Sequence, residues 1–314
     1  MMNIALGFDK NFAAYAATTI KSILLHNKNV TFYLMYDNLK KSDIKKISEM
    51  IKAHNESYHW IDMSNEFNNL FTGNWKSKTL YFPLRLPSIC NDDRILFLDA
   101  DTFVTGDLSE FYNQNLDGYY LAAVNDYGML SDLKTDNRLK LGNDTVDIKD
   151  YFKKTRGWNN TDMQRYFNSG MLLMNLSEMR QNKVEEQMID SLKYNLFAFP
   201  DQDCINYVCH DHVKIIEPKY NFMVIFKSTW SRLDDEQKEK LIAYKEEKER
   251  PLIIHYLLKP WKRPQDNLPF SKEYNKVKLS TPYKNHYCRQ EIFQMRISKN
   301  GTYLRLFNKT IFEL

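Results

Sequence analysis

Apolar and polar residues alternate in blocks along the first 125 residues, and the blocks predict strands that alternate with helices. Short apolar runs that stop at an acidic or amide residue are typical of buried strands, and they cover residues 3–8, 30–36, 58–62, 94–98 and 119–124. Apolar residues at helical spacing predict helices over residues 13–25, 42–54 and 81–89, with Ser42 as a candidate N-cap. This alternation predicts an α/β fold, with a mostly parallel sheet covered by helices on both faces.

The second half of the chain continues the pattern, with longer polar stretches between the elements. Further strands are predicted at residues 170–175, 214–216 and 251–255, and further helices at residues 184–194 and 234–249. Residues 130–162 are polar and poorly periodic, which predicts a long loop or insertion. The α/β pattern ends near residue 264. We therefore expect an α/β domain over residues 1–264 and a small helical extension over residues 265–314.

Charge is nearly balanced over the whole chain but uneven along it. The 44 Lys and Arg oppose 40 Asp and Glu, a net charge of +4, which argues against a nucleic-acid partner. Residues 271–314 hold nine Lys or Arg against three Glu, interleaved with Tyr and Phe. Such a tail could dock on anionic lipid headgroups, or its rings could pack on the α/β core while the charges face water. The two readings are compatible.

Cysteine usage and the pattern near the start of the chain bear on the compartment. The four cysteines, Cys90, Cys204, Cys209 and Cys288, form no C-x-x-C pair, which favours reduced, buried thiols. The first residues lack the charged and apolar regions of a signal peptide, and no run of about 18 apolar residues occurs. We expect a cytoplasmic protein whose tail is a candidate peripheral contact at the inner face of a membrane.

The strongest local signal for chemistry is Asp99-Ala100-Asp101, which directly follows the apolar run at residues 94–98. Alternate residues of an extended segment point the same way, so the two carboxylates can converge on one divalent cation. Mg²⁺ and Mn²⁺ sites typically combine one or two carboxylates with phosphates of the substrate. The alternative is a surface turn with two solvated acids. Asp9 and Asp37 also follow predicted strands, where open α/β sheets bind ligands.

Four motifs resemble glycosyltransferase family 8 and occur in the family's order. They are FLDADTFV at residues 97–104, YFNSGMLLMNL at 166–176, FPDQDCIN at 199–206 and IIHYLLKPW at 253–261. The resemblance implies a retaining, metal-dependent enzyme of the GT-A (Rossmann-like) fold that uses nucleotide sugars. Within the family, the chain is similar to bacterial galactosyl- and glucosyltransferases that build lipopolysaccharide or decorate serine-rich adhesins. It therefore implies transfer from UDP-galactose or UDP-glucose to a glycan or glycoprotein acceptor, with an α-linkage.

The resemblance also implies which residues bind the metal and the donor. Asp99, Asp101 and His255 would be the metal ligands, and the imidazole favours Mn²⁺ over Mg²⁺, although Mg²⁺ is compatible. The donor-binding positions would be Gly7, Phe8 and Asp9 at the nucleotide turn, Asn11 and Phe12 beside the uridine, Arg85, Ala100, Asn168, Ser169, and Lys259 at the diphosphate. The spacer Tyr256-Leu257-Leu258 is shorter than the family's usual one and lacks its glycine.

The same resemblance implies a catalytic face. Gln202 would stabilise the β-face of the sugar and Asp201 would accept a sugar hydroxyl, with Asp126 near the reacting centre. Double displacement and same-face internal return both fit these residues. For Asp126 and Asp203 the alternative is N-capping or turn formation. Two other functions stay open: a catalytically silent scaffold that binds nucleotide sugars, and an initiating transferase that acts on protein hydroxyls.

Overall fold

The computed structural model describes residues 1–70, 72, 77–135, 137–141, 144–194, 197–261, 268–285, 293–298, 301–306 and 309–313. The strands are β1 Met2–Asp9, β2 Val30–Asp37, β3 Ser57–Asp62, β4 Arg94–Leu98, β5 Thr102–Val104, β6 Leu121–Ala123, β7 Arg138–Leu141, β8 Asp144–Asp147, β9 Met171–Asn175, β10 Val213–Ile215, β11 Phe222–Met223, β12 Ile253–His255, β13 Phe293–Ser298, β14 Gly301–Leu306 and β15 Lys309–Glu313.

The α-helices are α1 Ala13–His26, α2 Lys41–Lys52, α3 Leu86–Ile89, α4 Ser109–Tyr112, α5 Tyr127–Asp132, α6 Ile148–Arg156, α7 Asn160–Gln164, α8 Leu176–Gln181, α9 Val184–Tyr194, α10 Pro200–Cys209, α11 Lys227–Arg232, α12 Asp235–Lys245 and α13 Ser271–Leu279. Short 3-10 helices occupy Lys78–Arg85, His210–His212 and Pro218–Tyr220. Within the described part of the chain, no helix is long and apolar enough to cross a membrane.

A seven-stranded sheet in the order β10-β6-β9-β4-β1-β2-β3 forms the centre of the molecule. Only β9 runs antiparallel to its neighbours β4 and β6 within this sheet, so the prediction of a mostly parallel sheet is confirmed. Successive residues of β4 belong to two hydrophobic clusters: Leu96 and Leu98 lie in one, Ile95 and Phe97 in the other. The helices α1 and α10 contribute to opposite clusters, so the sheet is covered on both faces, as predicted.

A second sheet of three strands, in the order β11-β12-β5, brings two distant segments of the chain together. The strand β5 begins directly after Asp101, and β12 pairs with it in antiparallel register, with His255 opposite Thr102. The chain places about 150 residues between these two strands, yet the register holds His255 beside the Asp99-Ala100-Asp101 turn.

Three local predictions are wrong, each for a separate reason. Ser42 does not cap α2, because the helix begins at Lys41 after the extended residue Lys40. The helix predicted at 81–89 is a 3-10 helix followed by α3, because Pro83 has no N–H group and restricts the residue before it. The loop predicted at residues 130–162 contains the hairpin β7–β8 and the helices α6 and α7.

The start of the C-terminal extension packs on the α/β core. Tyr274 of α13 is buried, with its ring against those of Phe103, Tyr256 and Trp261. The hydroxyl of Tyr283 donates to Asp43 Oδ1 at 2.9 Å. Farther along, β13, β14 and β15 form an antiparallel meander, so the expectation of a helical extension holds for α13 and is wrong for these strands. The predicted boundary at residue 264 lies outside the described residues, and the division into two domains stays a prediction.

Candidate functional site

The Asp99-Ala100-Asp101 turn is held in place by backbone contacts from three sides. The Asp99 N–H donates to the carbonyl oxygen of Gly170 at 2.9 Å, and the Tyr256 N–H donates to that of Asp101 at 3.1 Å. From α1, the Thr19 hydroxyl contacts the carbonyl oxygens of Ala100 and Thr102, at 3.1 and 2.7 Å. The turn therefore has a fixed shape, and its two carboxylates extend from a rigid base.

Asp99, Asp101 and His255 form a cluster, here called the strand-end cluster, whose potential ligand atoms all lie within 4.8 Å of one another. His255 Nε2 is 3.2 Å from Asp101 Oδ1 and 3.7 Å from Asp99 Oδ2. The other ring nitrogen, Nδ1, lies 3.1 Å from Asn168 Oδ1, which can only accept, so Nδ1 carries the hydrogen. Nε2 therefore faces the two carboxylates and is the ring nitrogen available to a cation between them.

The electron pairs in this cluster fit a divalent cation. Asp101 Oδ1 is buried and has no hydrogen-bond partner among the residues described. A buried carboxylate oxygen without a hydrogen bond is costly unless a positive charge lies beside it. Two carboxylates and one imidazole are a donor set that suits Mn²⁺ and also Zn²⁺ or Fe²⁺, which leaves the identity of the ion open.

Lys259 forms an ion pair with Asp101, so the short spacer Tyr256-Leu257-Leu258 is long enough to bring the lysine to the cluster. Burial by itself would raise the pKa of the Asp101 carboxyl, but Lys259 and His255 outweigh burial and hold the pKa below its usual range. Removal of water by the surrounding protein, together with the charge of Asp101, raises the pKa of Asp99 to about 6. The two acids therefore differ in how tightly they bind a proton.

A second group of buried polar side chains lies beside the cluster and joins three of the predicted positions. Asn168 Nδ2 donates to Asp126 Oδ2 and to Gln202 Oε1, both at 3.1 Å. Gln202 Nε2 donates to the same Asp126 oxygen at 3.0 Å. The other Asp126 oxygen accepts from the Met129 N–H at 2.9 Å and caps α5. Asp126 is therefore the N-cap of α5. It also forms, with Asn168 and Gln202, the group that is here called the amide network.

Asp201 and Ser169 lie next to the amide network. The Ser169 hydroxyl donates to Asp201 Oδ2 at 3.0 Å. Desolvation, followed by repulsion from Asp99, raises the pKa of Asp201 to about 7. A carboxyl with this pKa changes its protonation state near neutral pH and can hold or release a proton there.

Gly170 is required by the close approach of the two halves of the site. A Cβ atom at this position would lie 2.3 Å from His255 Cε1 and 2.8 Å from Asp99 Oδ2. Any larger residue would therefore push apart two members of the strand-end cluster. The sequence analysis placed Gly170 in a motif but gave no steric reason for it.

The predicted nucleotide turn is a closed structure at the end of β1. Asp9 Oδ1 accepts the N–H groups of Asn11 and Phe12 at 2.8 and 3.2 Å. The ring of Phe12 is half-buried and lies edge-on to Trp261, with centroids 6.4 Å apart. Phe8 is a core residue, so its side chain is not available to a ligand. The 3-10 helix Lys78–Arg85 packs closely on Gly7, where a Cβ atom would lie 3.3 Å from the side chain of Phe82.

Arg85 and Asp203 were singled out in the sequence, but both have partners outside the strand-end cluster and the amide network. The Arg85 guanidinium pairs with Glu66 Oε2 and Glu185 Oε1, each at 2.9 Å, and these ion pairs would have to open for it to reach a donor sugar. Asp203 is buried and accepts the hydroxyls of Tyr151 and Tyr166 at 2.7 and 2.6 Å, which is a structural role. The donor contact of Arg85 stays a prediction.

The sequence analysis missed Asn221, which lies between the 3-10 helix Pro218–Tyr220 and β11. Its side chain is fully buried and donates to Asn168 Oδ1 at 3.0 Å. Asn221 stands in an irregular segment and outside the four motifs, so no local pattern marked it. Only the packing of β11 beside β12 brings it to the amide network.

Comparisons with known proteins agree on a family. The family described as Glycosyl transferase family 8 matches residues 3–265. The chain is 24% identical to the glycosyltransferase GlyF and 26% identical to GlyB of Streptococcus pneumoniae, covering 82% of this chain and 57% of each relative. It is 26% identical to the lipopolysaccharide 1,2-glucosyltransferase of Escherichia coli K12, covering 83% and 72% of the two chains. The chain thus spans less than two thirds of GlyF and GlyB.

Solved structures share the fold. The bifunctional glycosyltransferase WbbM superposes with a TM-score of 0.80 at 24% identity, over 90% of this chain and 50% of that one. The galactosyltransferase LgtC, solved with donor and acceptor sugar analogs, gives a TM-score of 0.71 at 20% identity, over 90% and 99% of the chains. These similarities show the fold and confirm the predicted GT-A architecture.

Proposed function

Because the chain belongs to glycosyl transferase family 8, we propose that it moves a hexose, galactose or glucose, from a UDP-sugar to a hydroxyl of a glycan or glycoprotein. The transfer retains the anomeric configuration, forms an α-linkage and depends on Mn²⁺. The observation that carries this proposal is the strand-end cluster, where two carboxylates and an imidazole converge beside Lys259. This combination suits a nucleoside diphosphate, which needs cationic partners for its phosphates.

On the diphosphate side, Asp99, Asp101 and His255 would hold the ion, and Lys259 supplies a second positive charge beside them. The bound ion would act as a Lewis acid that stabilises the negative charge developing on the leaving diphosphate. Lys259 forms an ion pair with Asp101, and its ammonium lies 6.0 Å from the centre of the Trp261 ring. These two contacts position the lysine at the cluster.

On the sugar side, the amide network presents groups that can orient a hexose. The carboxamide of Gln202 is held by Ser169, Asn168 and Asp126, so it is preorganised to stabilise positive charge at the reacting carbon. Asp201, with its pKa near 7, can accept a hydrogen bond from a sugar hydroxyl. The group opposite the diphosphate is thus rigid and polar, as transfer with an oxocarbenium-like transition state requires.

A panel of UDP-sugars tests the proposal. The protein is incubated with UDP-galactose, UDP-glucose or UDP-N-acetylglucosamine, with Mn²⁺, with Mg²⁺ or with EDTA, and UDP release is measured. We expect hydrolysis of one of the two unsubstituted hexose donors with Mn²⁺, slower release with Mg²⁺, and none with EDTA. Intact Mn²⁺-dependent UDP binding without turnover of any donor would favour the catalytically silent scaffold instead.

The acceptor side of the proposal includes a peripheral membrane contact through the tail. Beyond residue 285 the chain carries five Lys or Arg against two Glu, an excess that favours anionic lipid surfaces. A full-length variant with these five cations changed to Gln should lose co-sedimentation with vesicles containing phosphatidylglycerol and keep its UDP hydrolysis. Equal sedimentation of both proteins, or equal binding to neutral phosphatidylcholine vesicles, would contradict a membrane role.

A further inference from the structure

We propose that the cavity at the C-terminal end of α10 is a glycan-binding site, which takes a neutral sugar unit and is separate from the reaction centre. The choice of a glycan as the ligand rests on the proposed function, in which the acceptor is a glycan or glycoprotein. Binding of a sugar to the cavity can be measured without any donor or metal.

The cavity has a volume of about 470 Å³, and its walls are the end of α10, the helices α7 and α9, and Trp158. Pockets that bind small ligands typically have volumes of about 300–1,000 Å³. None of the described lining residues belongs to the strand-end cluster or to the amide network. At a rise of about 1.5 Å per residue, about 12 Å of helix separates Gln202 from His210. The cavity is therefore distinct from the candidate active site, although the same helix borders both.

Ring packing and hydrogen bonds hold one wall of the cavity in a fixed shape. Trp158 packs on Phe152 and His210, with ring centroids 5.3 and 4.8 Å apart. His210 Nε2 lies 3.3 Å from the carbonyl oxygen of Asp162, and His210 Nδ1 lies 3.2 Å from Asp211 Oδ1. Asp162 itself belongs to the capping box that begins α7. A wall that is already ordered reduces the entropy cost of binding a ligand.

The polar groups of the cavity indicate the class of ligand. The side chains of Asp162 and Asp211 are 28% and 90% exposed, and their negative charges repel phosphates, which argues against a second nucleotide-sugar site. Carboxylate oxygens accept hydrogen bonds from hydroxyl groups, and the exposed carboxamide of Gln187 can both donate and accept. The lining therefore fits a neutral ligand that carries several hydroxyl groups.

Tyr207 supplies the apolar surface on which a sugar ring can pack. It is 41% exposed, whereas Trp158 and His210, the other described rings of the cavity, are 8% and 9% exposed. The C–H groups on the face of a sugar can lie against an aromatic ring, and tyrosine adds a hydroxyl group at the edge. An organic cation would also be attracted to the acids, but it is bound best by several exposed rings, and the described lining offers one. The combination therefore favours a sugar over an ammonium group.

The test follows two indole N–H signals by NMR in ¹⁵N-labelled full-length protein without donor or metal. Trp158 reports on the cavity, and Trp261, which lies beside Lys259, reports on the strand-end cluster. The variants Trp158→Phe and Trp261→Phe identify these signals among the five tryptophans. Titration with lactose, maltose or N-acetylglucosamine should shift the Trp158 signal with saturation and leave the Trp261 signal in place. If none of the three sugars shifts the Trp158 signal, the inference is wrong.

Spermidine tests the other class of ligand in the same experiment. A saturable shift of the Trp158 signal with spermidine and with none of the three sugars would identify a cation site and overturn the inference. A sugar that shifts only the Trp261 signal would bind at the candidate active site, which would also overturn it.

Two variants connect sugar binding to named side chains. Tyr207→Ala removes the exposed ring and Asp211→Asn removes a charged acceptor, and each should weaken binding of the sugar by about 10-fold. Tyr119→Ala is the matched control, because Tyr119 is 38% exposed and does not line the cavity. Wild-type affinity in either cavity variant, or an equal loss in the control, would contradict the proposal. If Tyr207→Ala does not fold, Asp211→Asn decides, since its side chain is almost fully exposed.

The outcomes for this site are separate from those for the proposed function. Both cavity variants should release UDP from the donor at the wild-type rate, because Tyr207 and Asp211 lie outside the strand-end cluster and the amide network. Sugar binding at Trp158 without UDP release from any donor would contradict the proposed transfer alone. UDP release without sugar binding at Trp158 would overturn this inference alone.

Discussion

The strand-end cluster and the segment at residues 130–162 differ in how their structure is encoded. The cluster is encoded by two contiguous patterns: an apolar strand followed by two acids, and a second strand that ends in His255. The segment, here called the insertion, contains buried Tyr151, Phe152 and Trp158, which stand among polar residues without a clear period. Their burial depends on partners from other parts of the chain, so the local sequence did not indicate it.

The insertion packs against α10, the helix that carries Gln202. The rings of Phe152 and Trp158 stack with centroids 5.3 Å apart, and Trp158 also packs on His210 at 4.8 Å. The hydroxyl of Tyr151 donates to Asp203, one residue beyond Gln202. The comparison shows that the two regions are specified differently. The strand-end cluster can be recognised from a sequence motif, whereas the insertion can be recognised only from the tertiary packing of its side chains. The following predictions separate the two components.

The largest effect is expected at the strand-end cluster. Asp101→Asn removes a charged candidate ligand and the ion-pair partner of Lys259. Mn²⁺-dependent UDP binding should weaken by more than the roughly 100-fold that an outer-shell partner contributes, with donor hydrolysis lost as well. Calorimetry with Mn²⁺ and UDP measures this. Asp107→Asn is the control, because Asp107 is an exposed acid whose Oδ1 accepts the Ser109 N–H; equal losses in both variants would contradict the assignment.

Gln202→Ala should reduce the rate strongly while UDP binding stays nearly intact. The side chain belongs to the amide network and faces neither Asp101 nor Lys259 by any described contact. Loss of one preorganised group at the reacting centre typically lowers the rate by about 10²–10³-fold. Steady-state hydrolysis and UDP titration check both parts. Full activity in this variant would remove Gln202 from the site.

Asp203→Asn should act on stability rather than on metal binding. It replaces charged hydrogen bonds from Tyr151 and Tyr166 with neutral ones, which costs about 2 kcal/mol of the free energy of unfolding. That corresponds to a decrease of roughly 4–8 °C in melting temperature. Asp211 is an exposed acid just beyond the end of α10, which carries Asp203. Asp211→Asn should therefore change the melting temperature little. A simultaneous loss of Mn²⁺ affinity in Asp203→Asn would show that the two components are not separable.

The smallest effect concerns pH. The pKa of Asp99 is raised to about 6, so a proton competes with a cation for this carboxylate as the pH falls below that value. Mn²⁺ affinity should therefore be constant above neutral pH and fall by about tenfold per pH unit below pH 6 for each proton displaced. Titrations between pH 5 and 8 measure the slope. The same slope in Asp203→Asn, and a flatter one in Asp99→Asn, would confirm that the cluster titrates independently of the insertion.

The wrong prediction of a loop for the insertion has a physical cause. The insertion does carry helix signals: Asp147 caps α6, Gly157 ends it in the left-handed conformation, and Asn159 with Asp162 forms a capping box for α7. Yet Asn, Asp and Gly are also the residues of loops, because their side chains or backbones satisfy both geometries. Capping residues indicate a helix only where an apolar face accompanies them. Here the apolar face is a few aromatic rings.

The sequence by itself determined the alternation of strands and helices and the positions of the acids at the strand ends, which follow from short-range periodicity and from the rule that parallel strands end at one edge. The GT-A fold, now confirmed, was implied by the resemblance of four motifs to a known family. Only the tertiary structure decided that His255 lies opposite Thr102, that Gly170 must be small, and that Arg85 pairs with Glu66 and Glu185. It also decided that Asn221 reaches Asn168. Each of these depends on the distance between segments far apart in the chain, and that distance is set by strand order and register, which no local pattern encodes.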